Sequence, residues 1–245
     1  MPIKLRAVWI ALGLAIVMVA AIGWKTAQRG TPVQAPVGLF TTLPILWAET
    51  ADLGTALSAD VPQHWARGEI ERFGPVTPLD VLNPAALAPL KRLVIAQPRI
   101  LSPEENLALD QWVRGGGRLL LIADPALTEE SAFPIGDPRR PQALAMLSPI
   151  LSHWGLALNI VDEQALGEVR REVMGVQIPV NLPGHFTTQG QGNCRLWSDG
   201  LAVSCTIGKG RVIALADGAV LEADDSAGTR AHSFAFLLEA AFAGQ

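Results

Sequence analysis

Apolar and polar positions follow one another along this chain in three different rhythms. The first is unbroken: residues 7–24, AVWIALGLAIVMVAAIGW, form an uncharged and almost wholly apolar run of 18 residues. At about 1.5 Å of rise per residue a helix of that length reaches roughly 27 Å, close to the thickness of a bilayer's hydrocarbon core. The run predicts one transmembrane helix within residues 1–28. A cleaved signal peptide is the competing reading, because Val19-Ala20-Ala21 and Ala21-Ile22-Gly23 place small residues where a peptidase would cut. The usual apolar core of a signal peptide, about 7–15 residues, is shorter than this run. The uncleaved anchor is therefore preferred. Lys4 and Arg6 precede the run and Lys25 and Arg29 follow it, so the positive-inside bias favours an inside N-terminus only slightly. Residues 29–36, with Pro32 and Pro36, read as a short semi-extended linker.

The second rhythm alternates buried strand and amphipathic helix over residues 37–245. RLVIA (92–96) is a short apolar, β-branched run of the kind that forms a parallel strand buried on both faces. Ser102-Pro103-Glu104-Glu105 then gives a capping box with Pro at the first helical position. Leu109, Trp112 and Val113 share one face of the helix that follows, and Gly115-Gly116-Gly117 closes it. RLLLIA (118–123) is a second buried strand, ending in Asp124-Pro125. Strand, helix and strand in this order make a right-handed βαβ crossover. PVGLF (36–40), GPVTPLDVL (74–82) and GRVIALA (210–216) add further strands. Phe234, Leu237, Leu238, Ala241 and Phe242 mark a core-facing terminal helix. Leu144, Leu147, Leu151 and Trp154 form a similar stripe, broken or kinked at Pro149. The expected architecture is α/β, doubly wound, with a mainly parallel sheet.

The third rhythm, over about 156–208, consists of short β-like runs between Gly, Pro and Asn turns, and predicts a β-rich insertion. Both cysteines lie in it, in CRLWSDGLAVSC. With Asp199-Gly200 as a two-residue hairpin turn, Ser198 faces Leu201, and counting outward sets Cys194 opposite Cys205. Cross-strand neighbours sit within reach of a disulfide, and such a bridge persists in an oxidising compartment. Two free thiols in a cytosolic hairpin are the alternative.

Composition narrows function chiefly by exclusion. With 19 Lys and Arg against 23 Asp and Glu, a net charge of −4 offers no footprint for nucleic acid. No G-x-S-x-G nucleophile elbow occurs, and Asn193-Cys194-Arg195 and Ser204-Cys205-Thr206 lack the flanking glycines of one and lie in expected strands. His64, His153, His185 and His232 are scattered, none at metal-ligand spacing. Neither a metal nor a cofactor is expected, and no catalytic residues are assigned. Open α/β sheets bind ligands beyond the carboxyl ends of their strands. Those ends carry Thr41 and Thr42, then Gln97 and Arg99, then Asp124, and finally Asp217. One reading puts all six around a single crevice; the other has them terminating strands through turn chemistry alone.

The stretch LVIAQPRILSPEENLALDQWVRGGGRLLLIADP resembles the signature region of auxiliary components of ABC-type transport systems of the gliding-motility type. GKGRVIALADGAVL, with Asp217 at the strand end, is similar to the closing strand of the same family. The resemblance covers roughly residues 37–155 and 207–243. It implies an amidotransferase- or flavodoxin-like domain without the catalytic Cys and His of class I glutamine amidotransferases. It further implies a single-pass protein of the cytoplasmic (inner) membrane with its domain in the periplasm. The partners implied are the membrane itself and an ABC transporter permease or ATPase, or another envelope protein. The expected function is that of a non-catalytic accessory or binding subunit. The alternatives are a hydrolase or amidotransferase-like enzyme with an unrecognised site at the strand ends, and a purely structural envelope module.

Overall fold

The structure is a computed structural model that describes residues 34–46, 49, 63–190, 192–225 and 227–243. The predicted transmembrane helix and most of the linker lie outside the described residues. Among those described, no helix is long and apolar enough to cross a membrane.

Seven strands form the central sheet: β1 (Val37–Thr41), β2 (Val76–Pro78), β3 (Arg92–Ala96), β4 (Arg118–Ile122), β9 (Cys194–Trp197), β10 (Ala202–Ile207) and β11 (Gly210–Leu215). Their order is β2-β1-β3-β4-β11-β10-β9. The first five run parallel, while β10 is antiparallel to both β11 and β9. The architecture is thus mixed α/β with a mainly parallel central sheet.

Period-two alternation in the strands explains why both faces of this sheet need cover. Leu93, Ile95, Leu119, Leu121, Val212 and Ala214 face one core. There they meet Leu109 and Val113 of α3 (Pro103–Arg114) and Ile150 and Leu151 of α4 (Ser148–His153). Val94, Ala96, Leu120, Ile122, Ile213 and Leu215 face the other. They pack on Ala66 and Ile70 of α1 (Trp65–Glu71) and on Phe234, Leu237, Leu238 and Ala241 of α5 (Thr229–Phe242). Each Leu or Ile so buried contributes about 1.5–3 kcal/mol. A short helix, α2 (Pro84–Leu87), starts at the Asn83 cap.

Helix α3 begins where its capping box dictates. The Ser102 hydroxyl accepts the Glu105 N–H at 3.2 Å, and the Glu105 carboxylate accepts the Ser102 N–H at 2.9 Å. Two expectations change. The apolar stripe before Pro149 is not helical: α4 starts only at Ser148, because Pro149 suits a first turn and not a helix interior, and Leu144 is exposed. The segment 156–208 is not one separate insertion either. β5 (Leu156–Asn159) pairs with β8 (His185–Thr188), and β6 (Val169–Val173) with β7 (Val176–Val180), as two small sheets. β9 and β10 instead extend the central sheet.

The β9–β10 turn explains the register there. Ser198 (φ 49°), Asp199 (φ 53°, ψ 34°) and Gly200 (φ 89°) all have positive φ, and the Leu201 N–H donates to the Ser198 carbonyl at 3.0 Å, so the strands are joined by the four residues 198–201 and not by the expected two-residue turn, with the same register. A side chain on Gly200 would meet the Phe186 carbonyl oxygen at 2.3 Å. From that turn Trp197 pairs with Ala202 and Cys194 with Cys205, whose Cα atoms are 4.1 Å apart across a disulfide.

Candidate functional site

Strand order reverses between β1 and β3, so these two strands leave a crevice at their carboxyl ends, the usual ligand position in an open α/β sheet. A cleft of about 260 Å³ lies there, lined by Phe40, Thr41, Thr42, Leu79, Asp80 and Arg99. Three of the six sequence candidates therefore reach it. Their polar groups are, however, largely committed to the fold. The Thr41 hydroxyl accepts the Leu43 N–H at 2.9 Å, and the Thr42 hydroxyl donates to the Gln97 carbonyl at 2.5 Å and accepts the Gln142 N–H at 3.0 Å. The Arg99 guanidinium binds both Glu105 oxygens (2.7 and 2.8 Å), donates to the carbonyls of Asp80 and Ile100, and lies over the Phe40 ring. Glu105 also accepts the Leu82 N–H at 3.1 Å. The Arg99 hydrogen bond, chiefly, holds the Glu105 carboxyl down at about 2.

The remaining three candidates do not line the cleft. Gln97 is fully buried with φ 42°. Its amide donates to the carbonyls of Asp124 and Gln142 and accepts the Asp124 N–H, stitching β3 to the loop after β4. Asp124 and Asp217 are also fully buried. The Asp124 oxygens accept the N–H groups of Ala126 and Gly218, and those of Asp217 accept the N–H groups of Ala219 and Asn181, all between 2.7 and 2.9 Å. Of the two readings of the strand ends, these hydrogen bonds fit the one in which Gln97, Asp124 and Asp217 terminate strands, and the six residues do not line a single crevice. Each oxygen is occupied in tying a strand end to backbone. Burial pushes Asp124 up to about 6; burial and then the charge of Asp124 push Asp217 up to about 8.

A larger cavity, about 540 Å³, lies among the segments that follow β1, β4 and β11. Pro44, Glu49, His64, Trp65, Glu129 and Glu130 are among its walls. His64 caps α1, its Nδ1 accepting the Ala66 N–H at 3.2 Å, and burial lowers its pKa. The Trp65 indole N–H donates to the Glu222 carbonyl and its ring meets Phe234 edge-on. Glu49 accepts the Ser131 hydroxyl and the Ala132 N–H. Glu129 accepts the Ala223 N–H at 3.1 Å through one oxygen, and burial pushes its pKa up to about 7. No Lys or Arg lines the cavity among the described residues. Strand-end reasoning missed these residues because they lie several positions beyond the strands. One signal was legible: no Lys or Arg occurs from residue 30 to 66 or from 119 to 138.

No family model matches the sequence, and no curated protein matches it. Solved structures do. An exo-beta-1,4-mannosidase from Opitutaceae bacterium strain TAV5 matches over 94% of this chain and 39% of that chain, at 13% identity and a TM-score of 0.50. A beta-galactosidase from Rahnella sp. R3 covers 84% of this chain at 10% identity (TM-score 0.46), and this chain covers 31% of it. A putative ThuA-like protein from Bacteroides uniformis ATCC 8492 matches 89% of this chain and 97% of its own at 11% identity (TM-score 0.45). The chain thus spans well under half the length of the two glycosidases. At such identities the likeness to the mannosidase is one of fold alone.

Proposed function

We propose that this chain is a non-catalytic, membrane-delivered binding module, an accessory subunit of an ABC-type export or envelope system with its domain on the oxidising side of the inner membrane. In this reading the sheet is a doubly wound one of flavodoxin- or amidotransferase-like order, β2-β1-β3-β4-β11, extended by the β10–β9 hairpin. The observation that carries the reading is the use made of polar groups at the strand ends. Gln97, Asp124 and Asp217 are spent on backbone hydrogen bonds, and Arg99 is closed by Glu105. Groups so fixed hold loops in place, each carboxylate oxygen of Asp124 and Asp217 already accepting a backbone N–H. Two further features support it: the apolar run at residues 7–24 as an anchor, and the cross-strand pairing of Cys194 with Cys205.

The test is recovery from native membranes. After in-cell cross-linking and detergent extraction, a tagged full-length chain is expected to remain in the carbonate-washed pellet and to bring down an ATPase and a permease subunit. A soluble chain beginning near Ile22 or Trp24, recovered without either subunit, would overturn the reading.

A further inference from the structure

The two ends of the central sheet carry opposite charge. Where the parallel strands begin, segments 72–76, 88–92, 114–118 and 206–211 bring Arg72, Lys91, Arg92, Arg114, Arg118, Lys209 and Arg211, with no Asp or Glu among them. Register holds this set together. Arg92 pairs with Arg118, and Arg118 with Arg211, across β3, β4 and β11. The Arg118 N–H donates to the Lys91 carbonyl and the Lys209 N–H to the Arg114 carbonyl, both at 3.0 Å. Part of the charge is spent within the fold: Arg114 on Asp110, Arg72 on Glu69 and Arg92 on the Phe73 carbonyl. Lys91 and Lys209 are exposed and Arg211 is half-buried. Among the described residues none of these three makes an ion pair. At the other end, segments 123–130 and 216–225 carry Asp and Glu and no Lys or Arg.

The chain enters its domain at the basic end. Val37, the first residue of β1, pairs with Arg92. Twelve residues separate it from Trp24, the last of the apolar run, and so short a chain reaches at most about 40 Å. Of the four lysines, Lys4 and Lys25 flank that run, and Lys91 and Lys209 stand at this end of the sheet.

We propose that this end of the domain rests on an anionic bilayer surface, with Lys91, Lys209 and Arg211 against lipid phosphates. The inference goes beyond the binding-module reading and rests on its anchor. An anionic leaflet attracts each nearby Lys or Arg by about 1 kcal/mol, and the attraction fades within a Debye length of about 8–10 Å. Three uncompensated cations at one end are enough to orient a domain that a short tether already holds near the membrane. The same field repels the acidic loops of the opposite end, which turn outward. The crevice at the carboxyl ends of β1 and β3 then faces away from the bilayer, open to a partner.

Lysine acetylation of the full-length chain in nanodiscs tests this, with discs of phosphatidylcholine alone or mixed equally with phosphatidylglycerol. The reagent is the uncharged N-hydroxysuccinimidyl acetate, and mass spectrometry reads Lys91 and Lys209 separately. Both are expected to react more slowly in the anionic discs, by about threefold or more. Salt at about 0.5 M, which shortens the Debye length to about 4 Å, should remove the difference. In the Lys91→Gln, Arg211→Gln double variant, Lys209 should return to within about twofold of its rate in neutral discs. Equal rates in the two lipids, or slowing that salt and the double variant leave unchanged, overturn the proposal. A chain that fails to enter the discs overturns the anchor and this proposal with it, a result distinct from lipid-independent labelling in loaded discs. Exporter subunits are scored only in the membrane recovery experiment, so that failure is separate again.

Discussion

Asp124, at the end of β4, accepts through Oδ2 the backbone N–H of Gly218 at 2.7 Å, so the carboxylate of one parallel strand's end fixes the turn that leaves the next. Its other oxygen holds Ala126, the start of its own loop. Asparagine has one acceptor oxygen and would set an NH2 group against a backbone donor. Asp124→Asn should therefore destabilise the fold by about 1–3 kcal/mol, read from urea unfolding. An unchanged midpoint would mean that these hydrogen bonds are dispensable.

Stability should also depend on pH in a particular sense. Asp217, pushed up to about 8 from an ordinary 3.8, keeps its proton in the folded state where the unfolded chain has lost it. Its contribution is complete below about 3.8 and is lost as the pH rises to about 8. Asp124 and Glu129 act in the same sense. Glu105 acts oppositely: held at about 2 against an ordinary 4.5, it contributes fully above 4.5 and loses that as the pH falls through 2. Unfolding free energy is thus expected to peak near about pH 4–5 and to decline toward pH 8. Asp217→Asn should flatten the upper limb, and a wild-type curve rising from pH 5 to 8 would contradict this account.

The Arg99–Glu105 pair joins the crevice to the start of α3. Glu105 is only 9% exposed along its side chain and also accepts from the Leu82 and Ser102 N–H groups. Glu105→Gln leaves Arg99 without its counter-charge, and a loss of about 1–3 kcal/mol is expected. Thermal unfolding should show it most clearly above pH 5, where the wild-type carboxylate is ionised.

At Gly210, where β11 passes beneath the end of α3, a Cβ would meet the Val113 carbonyl oxygen at 1.9 Å and that of Gly117 at 2.6 Å. Both are backbone atoms and have nowhere to move without parting helix from strand. Gly210→Ala should cost about 3 kcal/mol or more. A melting temperature within a degree of the parent would show that α3 does not sit as closely as described.

The disulfide closes a short loop, with a sequence separation of 11 between Cys194 and Cys205. In the chain-entropy model that constraint contributes about 2–3 kcal/mol. Non-reducing peptide mapping should recover the two cysteines linked, and the Cys194→Ser, Cys205→Ser double variant should unfold at correspondingly lower denaturant. Two free thiols in protein isolated from the envelope would count against an oxidised hairpin.

What the sequence determined by itself was whatever local physics decides. The capping box placed α3 at Ser102 because a helix start is satisfied by its own neighbouring side chains. The buried strands at 92–96 and 118–122 were legible as apolar runs, and counting outward from Asp199-Gly200 gave the register that brings Cys194 opposite Cys205, because the four-residue connection 198–201 is centred on the same pair. The charge bias around the large cavity was also on the page, as loops without Lys or Arg. Only the tertiary structure decided what Thr42, Gln97, Asp124 and Asp217 do. An Asp at a strand end reads identically whether it faces a cleft or a backbone N–H, and the donors it meets come from residues as far away as Gly218 for Asp124 and Asn181 for Asp217. The joining of β9 and β10 to the central sheet, and the meeting of Trp65 with Glu129 around one cavity, were settled in the same way. Pairings between distant segments depend on which surfaces remain to be buried once the local elements have formed, and no window of sequence contains that information.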